Sequence, residues 1–223
     1  MHFLLLAALL VPLFAGAATT DEVLSKLDQS APKFMAMTGD ISRTTYTKVI
    51  DDKAVEEGVI ALKKSGPKDL QVLIEIAKPD ARKVAFRSGK AEIYYPKLKT
   101  VQEYDLGKRT DLVDQFLLVG FGTTGTDLKA NYTVKYVGDE TISGQKTHRL
   151  ELTPATKAMQ EQFRKLELWV VESGAYPLQQ KFTQPSGDYY QITYNEVKLN
   201  PPLGEESLKL NLPKGVKRER PQK

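Results

Sequence analysis

The feature that most constrains this chain is a period of two in its apolar residues, repeated over most of the length after Gly39. Leu70, Val72, Ile74 and Ile76 alternate with Gln71, Leu73 and Glu75. Val84 and Phe86 sit between Lys83, Ala85 and Arg87, and Ser88-Gly89 makes a two-residue turn into Ala91, Ile93 and Tyr95. Pro96 to Lys99 turns the chain again into Val101 to Leu106. Further strands are predicted over Tyr132 to Tyr136, His148 to Leu152, Lys165 to Val171, Leu178 to Gln184, Tyr189 to Leu199 and Leu208 to Leu212. Ser173-Gly174 and Pro185-Ser186-Gly187 supply hairpin turns. Alternation gives each strand one apolar and one polar face, and short turns favour consecutive antiparallel pairing.

Two segments have helical spacing instead. Val23, Leu24, Leu27, Ala31 and Phe34 recur at three- and four-residue steps from Thr20 to about Met35, behind a capping box spanning Thr19 to Glu22. Leu112, Val113, Phe116 and Leu117 form a second stripe, capped by Thr110 or Asp111 and stopped by Gly120 and Gly122. A short helical stretch follows near Thr126 to Ala130. A sheet with one apolar face must curl, pack or be covered, and two amphipathic helices are too few to cover so many strands. The expected class is therefore α+β, mainly antiparallel β: an unclosed half-barrel of about ten or eleven strands, with helices covering a hydrophobic cavity.

The apolar run Phe3 to Phe14, broken only by Pro12, leads into Ala15-Gly16-Ala17-Ala18. It is too short to span a bilayer and reads as a signal peptide over residues 1–18, although Met1-His2 carries no Lys or Arg. Cleavage after Ala17 or Ala18 fits, leaving residues 19–223 as one domain. No second long apolar stretch follows, and cysteine is absent, which excludes disulfides, thiolate metal sites, cysteine catalysis and acylation at a lipoprotein signal. A soluble periplasmic protein is expected. The formal net charge is +4, and the excess sits in Lys209, Lys214, Lys217, Arg218, Arg220 and Lys223. A solvated tail is the favoured reading of that run, and an anionic surface or acidic partner the sharper one. Nucleic acid is not an expected partner, because the other basic residues are interleaved with acids.

Candidate chemistry is sparse. Gly120-Phe121-Gly122-Thr123-Thr124-Gly125 matches a dinucleotide string, but a helix precedes it and antiparallel strands follow, so no cofactor is expected. His148 shares a strand face with Leu150 and Leu152 and reads as a core residue holding one hydrogen bond. The acid pairs Asp51-Asp52, Glu56-Glu57 and Asp139-Glu140 are consecutive, point to opposite faces on a strand, and read as turn or edge residues. Two distant carboxylates meeting as a hydrolase pair is an alternative that sequence leaves open. The remaining signal is apolar and aromatic, which suits either an ordinary core or an acyl-chain cavity rimmed by hydroxyls.

Gly58 to Lys64 (GVIALKK), a proline shortly after, an alternating strand, Lys78-Pro79, and Ser88-Gly89-Lys90 leading into Ile93-Tyr94-Tyr95-Pro96 resemble the LolA family of lipoprotein carriers. Leu152-Thr153-Pro154, the Leu166 to Val171 strand and Leu212-Pro213-Lys214-Gly215-Val216 continue the resemblance in order to the C-terminus. The resemblance implies a non-enzymatic, monomeric carrier. It would bind the acyl chains of lipoproteins or related lipids, loaded by an inner-membrane ABC transporter and unloaded at an outer-membrane receptor. The family has an arginine at the end of the glycine-led strand that hydrogen-bonds the lid. Lys64 stands there, and lysine lacks the planar fork of donors. A related sensor or scaffold that binds a peptide or lipid is the other non-enzymatic reading.

The predicted cavity lining is Leu70, Val72, Ile74, Val84, Phe86, Ile93, Leu150, Leu152, Leu166, Leu168 and Phe182, with Val23, Leu27, Phe116, Leu117 and Lys64 in the lid. Burying one acyl chain of about fifteen methylenes gains roughly 12 kcal/mol against water, at ~0.8 kcal/mol each. Against a membrane the gain is near zero, so such a protein needs a cavity, a lid and an external source of energy for loading.

Overall fold

The computed structural model describes residues 18–66, 69–107, 119–172 and 176–221. Helix α1 (Thr20–Ser30) opens on the predicted capping box: the Thr19 side chain accepts from the Glu22 amide, and Glu22 accepts from the Thr19 amide at 2.7 Å. Its Val23, Leu24 and Leu27 are buried. A single 3-10 turn (Ala31–Lys33) ends the helical run earlier than its apolar spacing predicts, with Pro32 inside it.

Twelve strands then form one open sheet. They are β1 (Ala36–Thr47), β2 (Asp52–Gly66), β3 (Asp69–Lys78), β4 (Arg82–Arg87), β5 (Lys90–Tyr95), β6 (Thr100–Asp105), β7 (Tyr132–Ile142), β8 (Gln145–Pro154), β9 (Lys165–Val171), β10 (Pro177–Thr183), β11 (Tyr189–Leu199) and β12 (Lys217–Glu219). Among the described residues two short helices interrupt them, α2 (Gly125–Asn131) and α3 (Lys157–Gln162). The Ser88-Gly89 turn has φ of 50° and 72°, the doubly left-handed form that a tight hairpin requires.

The sheet order is β12-β6-β5-β4-β3-β2-β1-β11-β10-β9-β8-β7. The chain walks outward from β1 to β6 by hairpins, crosses to the opposite edge at β7, and walks back to pair β11 with β1. This is an unclosed half-barrel in which the connection from β6 to β7 must traverse the width of the sheet. Register sorts the faces. Ile41 pairs with Tyr194 and Gly58, Leu62 with Val72, Val72 with Phe86, Val84 with Ile93, Phe182 with Leu166, and Leu150 with Leu168. Residues paired across neighbouring strands share a face, so every predicted lining residue falls on the same side, the inner face.

Three expectations need correction. Leu208 to Leu212 is not a strand: a 3-10 turn (Glu205–Leu208) and an extended run carry Leu203, Leu208 and Leu210 onto the outer face, against Ala61, Leu73 and Ala85. The alternation there reflects one-sided packing across the strands, with no ladder of its own. The basic tail is not simply solvated, since β12 pairs parallel with β6, Arg218 bonds Glu92 and Glu103, and Arg220 bonds Glu103 at 3.0 Å. Glu56 and Glu57 lie inside β2, a central strand, and not at a turn or edge. The signal peptide (residues 1–17 of it), the helix predicted around Leu112 to Leu117 and the Ser173-Gly174 turn lie outside the described residues.

Candidate functional site

The inner face is built in two unlike halves. On β8 to β10, Leu150, Leu152, Leu166 and Leu168 are each 0% exposed and pack with Phe182 and with Val23 and Leu27 of α1. Val119, Leu128, Met159 and Phe163 complete this cluster, so helices and connections fill that half as a solid core. On β2 to β4, Leu62, Leu70, Val72 and Phe86 are buried in a second cluster that also holds Tyr194 of β11 and Phe121, with Phe34 packed against it. Towards the outer strands the cover thins: Ile74, Val84 and Ile93 are only half-buried.

The segment arriving from the crossing connection is fixed between the halves. Phe121 is 1% exposed, 5.9 Å from the Phe34 ring and edge-on to Tyr194 at 5.1 Å. Gln180, buried on the inner face of β10, donates to the Val119 carbonyl and accepts from the Tyr194 hydroxyl at 2.7 Å. Burial pushes the Tyr194 phenol well above its ordinary range, so that hydroxyl keeps its proton to donate. Lys64 donates to the Gly122 carbonyl at 3.4 Å and so ties β2 to the crossing segment. Gly122 has a φ of 65°, and a Cβ there would stand 2.7 Å from the Phe34 ring. Both geometry and space demand glycine, which accounts for the dinucleotide-like string without a nucleotide.

The lid residues Phe116 and Leu117 lie outside the described residues. Sequence reasoning missed Gln180, Tyr194 and Phe121. The signal for the first was available, because a polar amide on a strand's apolar face needs a partner. A cleft of about 440 Å³ lies beside this segment, bounded by Lys26, Ser30, Phe34, Gly120, Phe121, Glu172 and Tyr176, and by none of the predicted lining residues.

His148 sits where its pattern put it, 4% exposed, with Nδ1 2.6 Å from Asp139 Oδ1. Asp139 also accepts from the Tyr136 hydroxyl at 2.7 Å. These two bonds, Tyr136 first, hold its carboxyl below the usual range. The other ring nitrogen, Nε2, is buried and unpartnered among the described residues, while the Asp139 side chain is 58% exposed at a small cleft that both residues line. His148→Gln is expected to cost about 1–2 kcal/mol in urea denaturation and leave ligand uptake unchanged. Loss of uptake at unaltered stability would give His148 a functional role.

Among the described residues no group of three or more His, Cys, Asp or Glu is placed to hold a metal, and no helix is long and apolar enough to cross a membrane. A divided inner face and a pinned crossing segment define the class by fold alone: an unclosed, mainly antiparallel half-barrel. A family model described as "Uncharacterized protein" matches residues 69–199, and the chain belongs to that family. Pseudomonas aeruginosa MucB is 14% identical over 85% of this chain and 62% of its own, with a TM-score of 0.53. The lipoprotein LppX of Mycobacterium tuberculosis is 13% identical over 82% and 98%, with a TM-score of 0.51. A LolA superfamily protein of Nitrosomonas europaea is 15% identical over 86% and 98%, at 0.41. The chain spans about three fifths of the MucB chains it matches. At these identities the likeness is one of fold. A search of curated proteins by sequence finds no match.

Proposed function

We propose that this protein is an exported, non-catalytic carrier that holds acyl chains on the inner face of β2 to β5 and releases them at a second membrane. The observation that carries the reading is the contrast between the halves. Leu150, Leu152, Leu166 and Leu168 are fully enclosed, whereas Ile74, Val84 and Ile93 keep partial exposure on the same face. Apolar residues left half-covered in a concave sheet are where an apolar guest gains most from burial. The working lining is accordingly Leu70, Val72, Ile74, Val84, Phe86 and Ile93. Leu150, Leu152, Leu166, Leu168 and Phe182, with Val23 and Leu27, form the fixed wall beside it. Lys64 and Gln180 anchor the crossing segment.

Acylated lipoproteins or free lipids are the proposed cargo, an inner-membrane ABC transporter the donor, and an outer-membrane receptor the acceptor. Acyl transfer between two apolar settings is nearly neutral, so the donor must supply the energy. Native mass spectrometry of protein purified from the cell envelope tests this directly. The expected result is a chain beginning at Ala18 or Thr19 that retains a lipid-sized mass, or takes one up from an added lipopeptide. A bare polypeptide that takes up nothing would overturn the carrier reading.

A further inference from the structure

The inner face of the open half does not stay apolar to its end. In β1 the inner residue after Ile41 is Arg43, in β2 the one before Gly58 is Glu56, and in β4 the one before Val84 is Arg82. These three converge. Arg82 Nη2 lies 2.7 Å from Glu56 Oε1 and donates to Oε2 at 2.8 Å, while Arg43 Nη1 donates to Oε2 at 3.3 Å. Among the described residues Glu56 is the only carboxylate within ion-pair distance of either guanidinium. Two full positive charges therefore share one negative charge at ion-pair distance, one step beyond the apolar floor, with the exposed Asp80 acting on Arg82 from further away.

The cluster borders solvent without being surrounded by it. The side chains of Glu56, Arg82 and Arg43 are 18%, 20% and 38% exposed. The Arg43 guanidinium also lies over the Tyr190 ring at 5.6 Å, and Tyr190 stacks on Phe182 at 4.9 Å, which fixes the arginine against the solid wall. Each guanidinium carries five donors in a rigid fork. Those not turned to Glu56 are held ready for a second anion, and a planar fork suits carboxylate and phosphate oxygens.

We propose that Arg43 and Arg82 form a head-group site for anionic amphiphiles, reading a carboxylate or phosphate while the acyl chain lies along Val84, Ile74 and Ile93. The inference rests on the carrier reading and narrows it, from acyl chains in general to chains whose polar end is negatively charged. Glu56 sets the strength of the site: it orders the two arginines and cancels half of their charge, so that a bound head group is held yet can leave. Neutral lipids of equal chain length meet the same floor but leave the excess charge unanswered.

The test is a fluorescence-displacement titration of the full mature chain with four probes: oleate, 1-oleoyl-glycerol-3-phosphate, oleyl alcohol and monooleoylglycerol. Wild-type protein is expected to bind one or both anionic probes roughly tenfold tighter than their neutral counterparts, the size of one charge-assisted bond pair. Which anionic probe leads decides between carboxylate and phosphate. Arg43→Gln is expected to bring anionic and neutral probes to parity while neutral affinity stays unchanged, and Glu56→Gln to widen the preference. Thermal melts by circular dichroism confirm that the variants fold, and the wild-type comparison needs no variant. Equal wild-type affinity for anionic and neutral probes would overturn the head-group site and leave the carrier reading standing. Binding of none of the four would overturn both.

Discussion

Ile93→Glu is expected to leave the protein folded and abolish uptake of a fluorescent fatty acid, while Leu150→Glu is expected to prevent folding. The two residues occupy the same inner face, yet their surroundings differ in the one respect that matters. Leu150 is 0% exposed among Leu152, Leu168 and the α1 side chains. A carboxylate there has no partner and no water, at a cost of several kcal/mol, comparable to the whole stability of a domain of this size. Ile93 is half-buried, paired with Val84 on one side and Gln102 on the other. A glutamate there can reach water when the groove is empty, but it opposes an acyl chain that would cover it. Circular dichroism and a binding titration on both variants decide the matter. An unfolded Ile93 variant, or a folded one that binds normally, would refute the division of the inner face into wall and groove.

The second large effect concerns Gly58. A Cβ built there would lie 2.2 Å from the Glu75 carbonyl oxygen and 2.9 Å from the Ile76 Cα. Both are backbone atoms of β3, so no side-chain rotation relieves the clash. The register between β2 and β3 shifts at Glu57/Gly58, and this bulge brings the two backbones together. Gly58→Ala is expected to lower stability by about 3 kcal/mol or more, at the upper end for overpacking because the obstacle is the sheet itself. Urea denaturation measures it, and an unchanged midpoint would mean that β2 and β3 pair in a different register.

That glycine shows how much of the fold was legible in the chain. The strand beginning at Gly58 could be recognised by resemblance, but its physical reason, a backbone approach at a bulge, needed the pairing partner. The faces of β3, β4, β5, β8 and β9 followed from alternation, because each strand had one greasy side and period two admits a single assignment. β1 was missed: beyond Ile41 its residues run Ser42, Arg43, Thr44, Thr45, polar on both faces. The C-terminal leucines misled for the opposite reason, since alternation records which side is buried and says nothing about whether the backbone joins a ladder. In the site, His148 was read from the face of its strand, and Lys64 from the family resemblance. Gln180 holding Val119, and Arg43 and Arg82 sharing Glu56, are pairings between distant stretches of chain, and no periodicity reports them.

The strand order also bears on how the molecule is made. From β1 to β6, and again from β7 to β11, almost every pairing is between neighbours in sequence, so each half can zip up as its hairpins emerge. The seam is different: Ile41 must find Tyr194, just as the short β12 must return to β6. Loop closure over such a span costs little more than over a shorter one, but contacts between distant residues form late. Until β11 has been synthesised, the free edge of β1 offers unpaired amides and carbonyls to any other strand nearby. That edge is polar for most of its length, with Thr38, Asp40, Ser42, Thr44 and Tyr46 on one side and Arg43 and Thr45 on the other. The same polarity that hid β1 from the hydrophobic pattern keeps the waiting strand from aggregating before its partner arrives.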